Sequence, residues 1–293
     1  MPERVSSRSD DVTGALAVAD NALLHDGVDP FNEQSRLDLA SGRRSVRLAR
    51  DGGTAIAAAA FGNGELDLVV LPDARGRGVG TALLESLLPD LEPQVTAWSH
   101  GDHPAAHALA ERHGFDLVRT LLRLRLPSLD TLPGSPAPAD GIRIQEFDPE
   151  TDASDWLALN ARAFASHPEQ GDMSADDLAE REAESWFDPA DFLVAKDATG
   201  RMLGFHWMKL EPNEDDGEVY VLGVDPDAAG RGIGKLLLAA GLRRMREKGR
   251  SSASLYVEGD NEPALGLYRR FGFVDDAVDV QFRRRGFDEL GRR

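Results

Sequence analysis

Glu218–Leu238 reads EVYVLGVDPDAAGRGIGKLLL, and the fold turns on how this stretch is parsed. Val219 to Val224 is a short apolar run of strand-forming residues, Asp225-Pro226 stops it, Gly230-Arg231-Gly232-Ile233-Gly234 turns the chain, and from Lys235 the residues favour a helix. Such a turn aims the unpaired N–H groups of a helix's first turn at one spot, where the helix dipole also favours negative charge. It is a candidate phosphate cradle. The spacing matches neither the GxGxxG dinucleotide fingerprint nor the GxxxxGK loop followed by Ser or Thr. A tight turn that binds nothing is the plain alternative.

Downstream, Leu255-Tyr256-Val257-Glu258 reads as another strand, and Gly259-Asp260-Asn261-Glu262-Pro263 opens a helix that closes at Tyr268-Arg269-Arg270-Phe271-Gly272-Phe273. Strand, glycine turn, helix, strand, N-x-x-A helix start and Y-x-x-x-G-F close together resemble the GNAT acetyltransferases. The resemblance implies an α/β fold with a mixed sheet, and a turn that holds the pyrophosphate of acetyl-CoA. Ala229 stands where the family's turn has Arg or Gln.

The same pattern occurs upstream. Leu66-Asp67-Leu68-Val69-Val70-Leu71-Pro72 leads into Arg75-Gly76-Arg77-Gly78-Val79-Gly80-Thr81, here with Arg at the first turn position. The glycine turns stand 154 residues apart (Gly76 to Gly230), and the later glycines 158 apart (Gly114 to Gly272). Two copies of one domain, differing by a small insertion, account for both numbers; units of this length are duplicated domains and not a stacked array. We read residues 1–127 as the first copy, the proline-rich stretch 128–141 as a semi-rigid linker and residues 142–293 as the second copy. A length of 293 residues gives each copy enough chain for its own core.

Composition removes several classes. There are no cysteines, so disulfides, cysteine nucleophiles and thiolate metal sites are excluded, and a net charge of -18 argues against a general nucleic-acid binder. His103 and His107 sit four apart in HPAAH, which lacks the Glu of HExxH and any evident third ligand; no metal is expected. The longest apolar run, Ala55 to Phe61, is too short to span a membrane, and with no apolar leader in view a cytoplasmic protein is expected, as a monomer.

Moving an acyl group from a thioester to an amine needs a base for the ammonium proton, donors for the oxyanion and an acid for the leaving thiolate. The GNAT resemblance assigns these to a carboxylate on the strand before the turn and a tyrosine on the later helix. In the second copy these are Glu218 and Tyr268. In the first copy the 154 offset sets Gly64 against Glu218, alternation turns Glu65 to the opposite face, and the 158 offset sets Ala110 against Tyr268. The first copy is therefore expected to bind without turnover. Longer stretches of the second copy, around Asn160 to Gly171, Gly204 to Lys209 and Leu255 to Asn261, resemble the mycothiol synthase family of tandem GNAT enzymes.

That resemblance implies an acceptor, cysteinyl-glucosaminyl-inositol, lying between the copies with its amine toward Glu218. It also implies substrate contacts from Glu33, Glu169, Lys209 and Tyr256. It sets the acetyl-CoA thioester and pantetheine beside Leu222-Gly223-Val224, the pyrophosphate at Ala229-Gly230-Arg231-Gly232-Ile233-Gly234-Lys235, and Asn261-Glu262-Pro263-Ala264-Leu265-Gly266 along the other side. In the first copy, Leu68-Val69-Val70 and Arg75-Gly76-Arg77-Gly78-Val79-Gly80-Thr81 would hold a second CoA. The alternatives are a GNAT enzyme for another amine, such as an aminoglycoside or a protein N-terminus, and a non-catalytic acyl-CoA sensor.

Overall fold

The computed structural model describes residues 8–132, 134, 141–165 and 168–286; for Arg8, Glu33, Pro168 and Glu169 it describes the backbone alone. In chain order the elements are α1 (Arg8–Asp26), α2 (Glu33–Ser41), β1 (Ser45–Asp51), β2 (Thr54–Gly62), β3 (Glu65–Val70), α3 (Val79–Leu87), β4 (Thr96–His100), α4 (Pro104–His113) and β5 (Phe115–Leu126). There follow β6 (Arg143–Glu146), α5 (Pro149–Ala163), α6 (Pro168–Gly171), α7 (Ala175–Glu182), β7 (Phe192–Lys196), β8 (Met202–Lys209) and β9 (Asp216–Val224). The series closes with α8 (Ile233–Glu247), β10 (Ser252–Glu258), α9 (Glu262–Arg270) and β11 (Val274–Arg284).

These elements form two compact units, and their bounds depart from the linear split read from the sequence. Met1–Leu121 with Ala277–Arg293 is one unit, and Leu122–Asp276 is the other. The first unit orders its strands β1-β2-β3-β4-β11, so the last strand of the chain completes the sheet begun by the first copy. Asp279 to Arg283 of β11 run antiparallel against His100 to Thr96, and Val280 and Phe282 enter the core with Leu83, Leu84 and Leu87 of α3. The second unit orders its strands β5-β10-β9-β8-β7-β6. There the distal end of β5 supplies Leu124 and Leu126 to the core beneath α8, and Leu129, placed in the linker by sequence, is fully buried in that core. Residues 133 and 135–140 of that linker lie outside the described residues.

Both faces of the second unit's sheet are filled. Ile233, Leu237, Leu242 and Met245 of α8 cover one, with Leu265 and Tyr268 of α9. Trp156 and Leu159 of α5 cover the other, and the Trp156 ring meets Phe192, Phe205 and Trp207 edge-on at 5.5–5.6 Å. The first unit packs α1 onto its sheet through small residues instead, with Ala15, Ala19 and Ala22 against Ala58 and Ala60.

His206 shows how tightly the α8 face is fitted. Burial pushes its pKa down to about 4, against the pull of a hydrogen bond between Nδ1 and the Leu237 carbonyl, so the ring stays neutral. Gly241 of α8 leaves room for that ring, since a Cβ there would lie 2.1 Å from it. Gly241→Ala is expected to cost on the order of 1–3 kcal/mol through overpacking, read as a lower denaturation midpoint of the second unit.

Candidate active site

Pairing along β9 and β10 decides the site. The two parallel strands are in register only over Asp216↔Ser252, Gly217↔Ala253 and Glu218↔Ser254; beyond this β9 runs on to Val224 and β10 to Glu258 without facing each other. The closed end is fastened by the Asp216 carboxylate, which accepts hydrogen bonds from the hydroxyls of Ser252 and Ser254. Glu218 is the last paired residue before the strands part. Asp225 N–H donates to Leu203 on the β8 side at 2.9 Å, so strand alternation turns the N–H groups of Leu222 and Val224 into the opening. These are donors set where a carbonyl oxygen can be polarised.

At the far end of β9 the chain makes the expected turn. Gly230 and Gly232 hold φ of +76° and +77°, and a Cβ on either would meet nothing within 4 Å, so backbone conformation and not crowding requires glycine. Gly232 caps α8 with no side-chain acceptor for the helix's first N–H groups, leaving them for a ligand. Arg231 and Lys235 are exposed beside the turn, whereas Ile233 is fully buried and can offer a ligand only its backbone. Asp225 anchors the turn. Burial opposes its charge, but Arg201 at 2.8 Å and Arg162 at 3.0 Å hold its carboxyl below the usual range.

Glu218 itself is half-buried. Burial raises its pKa, and the charges of Lys209 and Arg123 pull it partly back. Lys209 is its cross-strand neighbour on β8, sits 5.4 Å over the Trp186 ring and bonds Glu211 at 3.1 Å. Tyr268 is buried in the core with α8, and burial pushes its phenol far up, so it stays protonated through the neutral range. Asn261 caps α9, its Oδ1 accepting from Ala264 N–H at 3.2 Å; Pro263 follows in the first turn and Leu265 is buried. Gly266 leaves open space where a Cβ would stand, and Tyr256 is exposed on β10. The side chains of Glu33 and Glu169 lie outside the described residues. The backbone of α6, which carries Glu169, is tied to α5 through Asn160 and Gln170, which exchange hydrogen bonds at 2.6 and 3.0 Å.

The ladder also brings in residues that motif reading passed over. Between Val219 and Val221 the β8–β9 register slips, because Met208 faces Val219 while Trp207 faces Val221. This bulge turns Tyr220 and Val221 to the same face as Glu218. Tyr220 packs against Trp186 at 5.2 Å and accepts from Arg181 Nε of α7 at 3.0 Å. Beside them, Glu182 has one buried carboxylate oxygen without a partner among the described residues. Two adjacent residues on one side of a strand defeat a period-two reading, which is why Arg181, Trp186 and Tyr220 carried no signal.

The first unit repeats the wedge. Its β3 and β4 pair only at Glu65↔Thr96 and Leu66↔Ala97 before parting, and Gly76 and Gly78 hold φ of +72° and +79°. The opening is a cavity of about 770 Å³ walled by Leu68, Val69, Val70, Arg75, Gly76, Gly78, Val79, Gly80 and Thr81, nine of the ten residues expected there; Arg77 is exposed outside it. Arg75 is already engaged, its guanidinium paired with Asp26 at 2.6 and 2.8 Å and donating to the Val70 carbonyl at 3.0 Å.

One expectation for this unit is overturned. Because β2–β3 has no bulge, Glu65 faces Gly62 just as Glu218 faces Lys209, and it pairs with Thr96 just as Glu218 pairs with Ser254. The counterpart of Glu218 is thus Glu65, on the same face of its strand, and not Gly64. Its carboxylate stands 3.5 Å from the buried Arg44 guanidinium, which also binds Asp67 at 2.8 Å. The histidine pair is no metal site: His103 caps α4 through Nδ1, His107 bonds Asp102 at 2.5 Å, and no group of three or more metal-binding side chains occurs among the described residues.

The Glu218 environment is directly testable. Its carboxyl is expected to titrate above the ordinary 4.5, and Lys209→Met should move it further up by removing the cation that stabilises the charged form. Side-chain NMR titration reads both.

Comparison with known proteins agrees with this geometry. A model of the acetyltransferase (GNAT) family matches residues 23–115 and again 155–273. Mycothiol acetyltransferases of Clavibacter sepedonicus and Geodermatophilus obscurus are 51% and 46% identical, over 96% and 93% of this chain and 94% of theirs. A GCN5-related N-acetyltransferase of Sphaerobacter thermophilus superposes with a TM-score of 0.69 at 25% identity, covering 96% of this chain and 94% of its own. A tandem GNAT protein from the clavulanic acid pathway shares the fold at a TM-score of 0.60 and 18% identity, over 94% of each chain. With two intact wedges and two family matches, the chain belongs to the GNAT family of acyl-CoA-dependent N-acetyltransferases, in the tandem branch whose curated members are mycothiol acetyltransferases.

Proposed function

We propose that the second unit transfers the acetyl group of acetyl-CoA to the cysteinyl amine of cysteinyl-glucosaminyl-inositol, completing mycothiol. The observation that carries the reaction is the position of Glu218: a half-buried carboxylate of raised pKa at the point where β9 and β10 part. The acceptor is carried by likeness to the mycothiol acetyltransferases along almost the whole chain.

In this reading Glu218 takes the proton of the acceptor's ammonium, directly or through one water. An α-amino group with a pKa near ~8 is about one unit from neutral at pH 7, on the order of 1.4 kcal/mol, so a carboxylate made more basic by burial is adequate. The N–H groups of Leu222 and Val224 polarise the thioester carbonyl, and Tyr268, kept protonated by burial, donates to the departing thiolate. The turn from Ala229 to Lys235 holds the pyrophosphate on its backbone, which is why Ala229 can replace the family's first Arg or Gln. Trp186 offers a flat apolar platform for a sugar ring, and Lys209, Tyr256 and Glu169 supply polar groups for its hydroxyls. The first unit's cavity takes a second acyl-CoA on the same pattern of strand opening and glycine turn. The protein acts as a monomer in the cytoplasm; among the described residues no helix is long and apolar enough to cross a membrane.

The test is incubation with acetyl-CoA and purified cysteinyl-glucosaminyl-inositol, beside an aminoglycoside and a peptide N-terminus, with product mass as the readout. Acetylation of the pseudodisaccharide alone supports the assignment, and acetylation of another amine in its place removes it. Glu218→Gln is expected to lower kcat/KM by at least about a hundredfold, as loss of a general base does, with little change in acetyl-CoA affinity. Gly232→Val, which forces a β-branched residue into a left-handed conformation, should instead raise the acetyl-CoA KM by about tenfold or more through the distorted turn.

A further inference from the structure

The first unit's cavity contains a dyad that the second lacks. His100 and Trp98 stand two apart on β4, their rings stacked at 6.1 Å, and both line the cavity. His100 Nδ1 lies 3.1 Å from Asp279 Oδ2 of β11, and the other oxygen of that carboxylate accepts Gly101 N–H at 2.9 Å. Since a carboxylate only accepts, the imidazole hydrogen is on Nδ1 and the lone pair on Nε2. Nε2 has no partner among the described residues, although it is buried. A covered nitrogen left unmet on a cavity wall is a cost that a ligand or water in the cavity removes.

The opposite wall is β3. Leu71 N–H donates to Ile56 of β2 at 2.9 Å, so alternation points the N–H groups of Leu68 and Val70 into the cavity. Continuing the Leu66↔Ala97 register sets Leu68 level with Ser99, between Trp98 and His100. Glu65, the counterpart of Glu218, already faces Arg44, and Ala110 stands where the second unit has Tyr268. The general base available here is therefore a different one. At the equivalent position of β10 the second unit has Glu258.

We propose that the first unit is a second, chemically distinct reaction site, in which His100, oriented by Asp279, activates water to hydrolyse an acyl-CoA thioester. The water oxygen bonds to the acyl carbon as the C–S bond breaks. Its proton passes to His100 Nε2 and from there to the departing thiolate, leaving a carboxylic acid and free CoA. The Leu68 and Val70 N–H groups face the oxyanion, and Asp279 steadies the imidazolium. Besides Asp279, the charges of Asp67 and Asp29 favour the protonated ring, and Asp26, Arg75, His103 and Arg112 line the same cavity. The proposal rests on the reading that this cavity accepts acyl-CoA.

The experiment uses the full chain with Glu218→Gln as background, so that the second unit is silenced, and acetyl-CoA with no acceptor. The chain has no cysteine, so a thiol reagent reports released CoA alone; calorimetry with the same ligand counts sites. Two sites, with release that falls at least about tenfold on adding His100→Gln, establish the dyad. Two sites with unchanged release overturn it, and a single site overturns the reading beneath it. If His100→Gln itself abolishes the second site, Asp279→Asn decides: two sites retained with the pH profile of release displaced to lower pH supports the dyad, and an undisplaced profile refutes it.

Discussion

Everything in this protein depends on two parallel strands that pair for a few residues and then stop. A parallel ladder satisfies backbone groups on both partners, so its interruption leaves N–H and C=O groups on each strand without the partner a sheet would supply. After Glu218 in one unit, and after Leu66 in the other, the backbone exposes donors toward the opening. The glycine turn at the end of the same strand adds a second row of unmet N–H groups, those of a helix with no capping side chain. An elongated ligand with a carbonyl at one end and a pyrophosphate at the other satisfies both. The wedge is stable without it because each strand remains bonded on its outer side, β9 to β8 and β3 to β2.

The two units share this wedge and diverge around it. Matched through the sheet register, Ala57, Ala58, Ala59 and Ala60 of β2 stand where Gly204, Phe205, His206 and Trp207 stand in β8. Alanines let α1 approach the first sheet closely; the aromatic residues of the second build a thick layer with Trp156 and Phe192 that carries α5 and α7 further out. The bulge at Tyr220 belongs to this second arrangement. It brings Tyr220 toward Trp186 and Arg181, on the side where Glu218 opens. One scaffold thereby presents a cofactor groove twice and an aromatic acceptor wall once.

Burial acts on the two catalytic groups in the same direction and gives them opposite uses. It raises the pKa of Glu218, which makes an ionised carboxylate a better proton acceptor, while Lys209 across the strand keeps it ionised near neutrality. It raises the phenol of Tyr268, which keeps that group a donor. Environments that separate an acid from a base in this way are the signature of a proton-transfer site.

Strand, turn and helix at Glu218–Leu238, its earlier copy, and the residues of both glycine turns are legible from sequence because they are local: β-prone runs, a proline stop and glycines at left-handed φ depend on neighbours in the chain. The same locality made Glu218, Tyr268 and Leu68 to Val70 findable by motif. Tertiary structure alone decided what required pairing across the sheet. Counting residues between copies set Gly64 against Glu218, but a bulge shifts one strand by one residue, and the ladder sets Glu65 there instead. The placement of β11 beside β4, which brings Asp279 to His100, joins residues 179 apart. Sequence periodicity records which face of a strand is buried, whereas register and partner are chosen by the competition of whole strands for one sheet edge, and no local pattern encodes that choice.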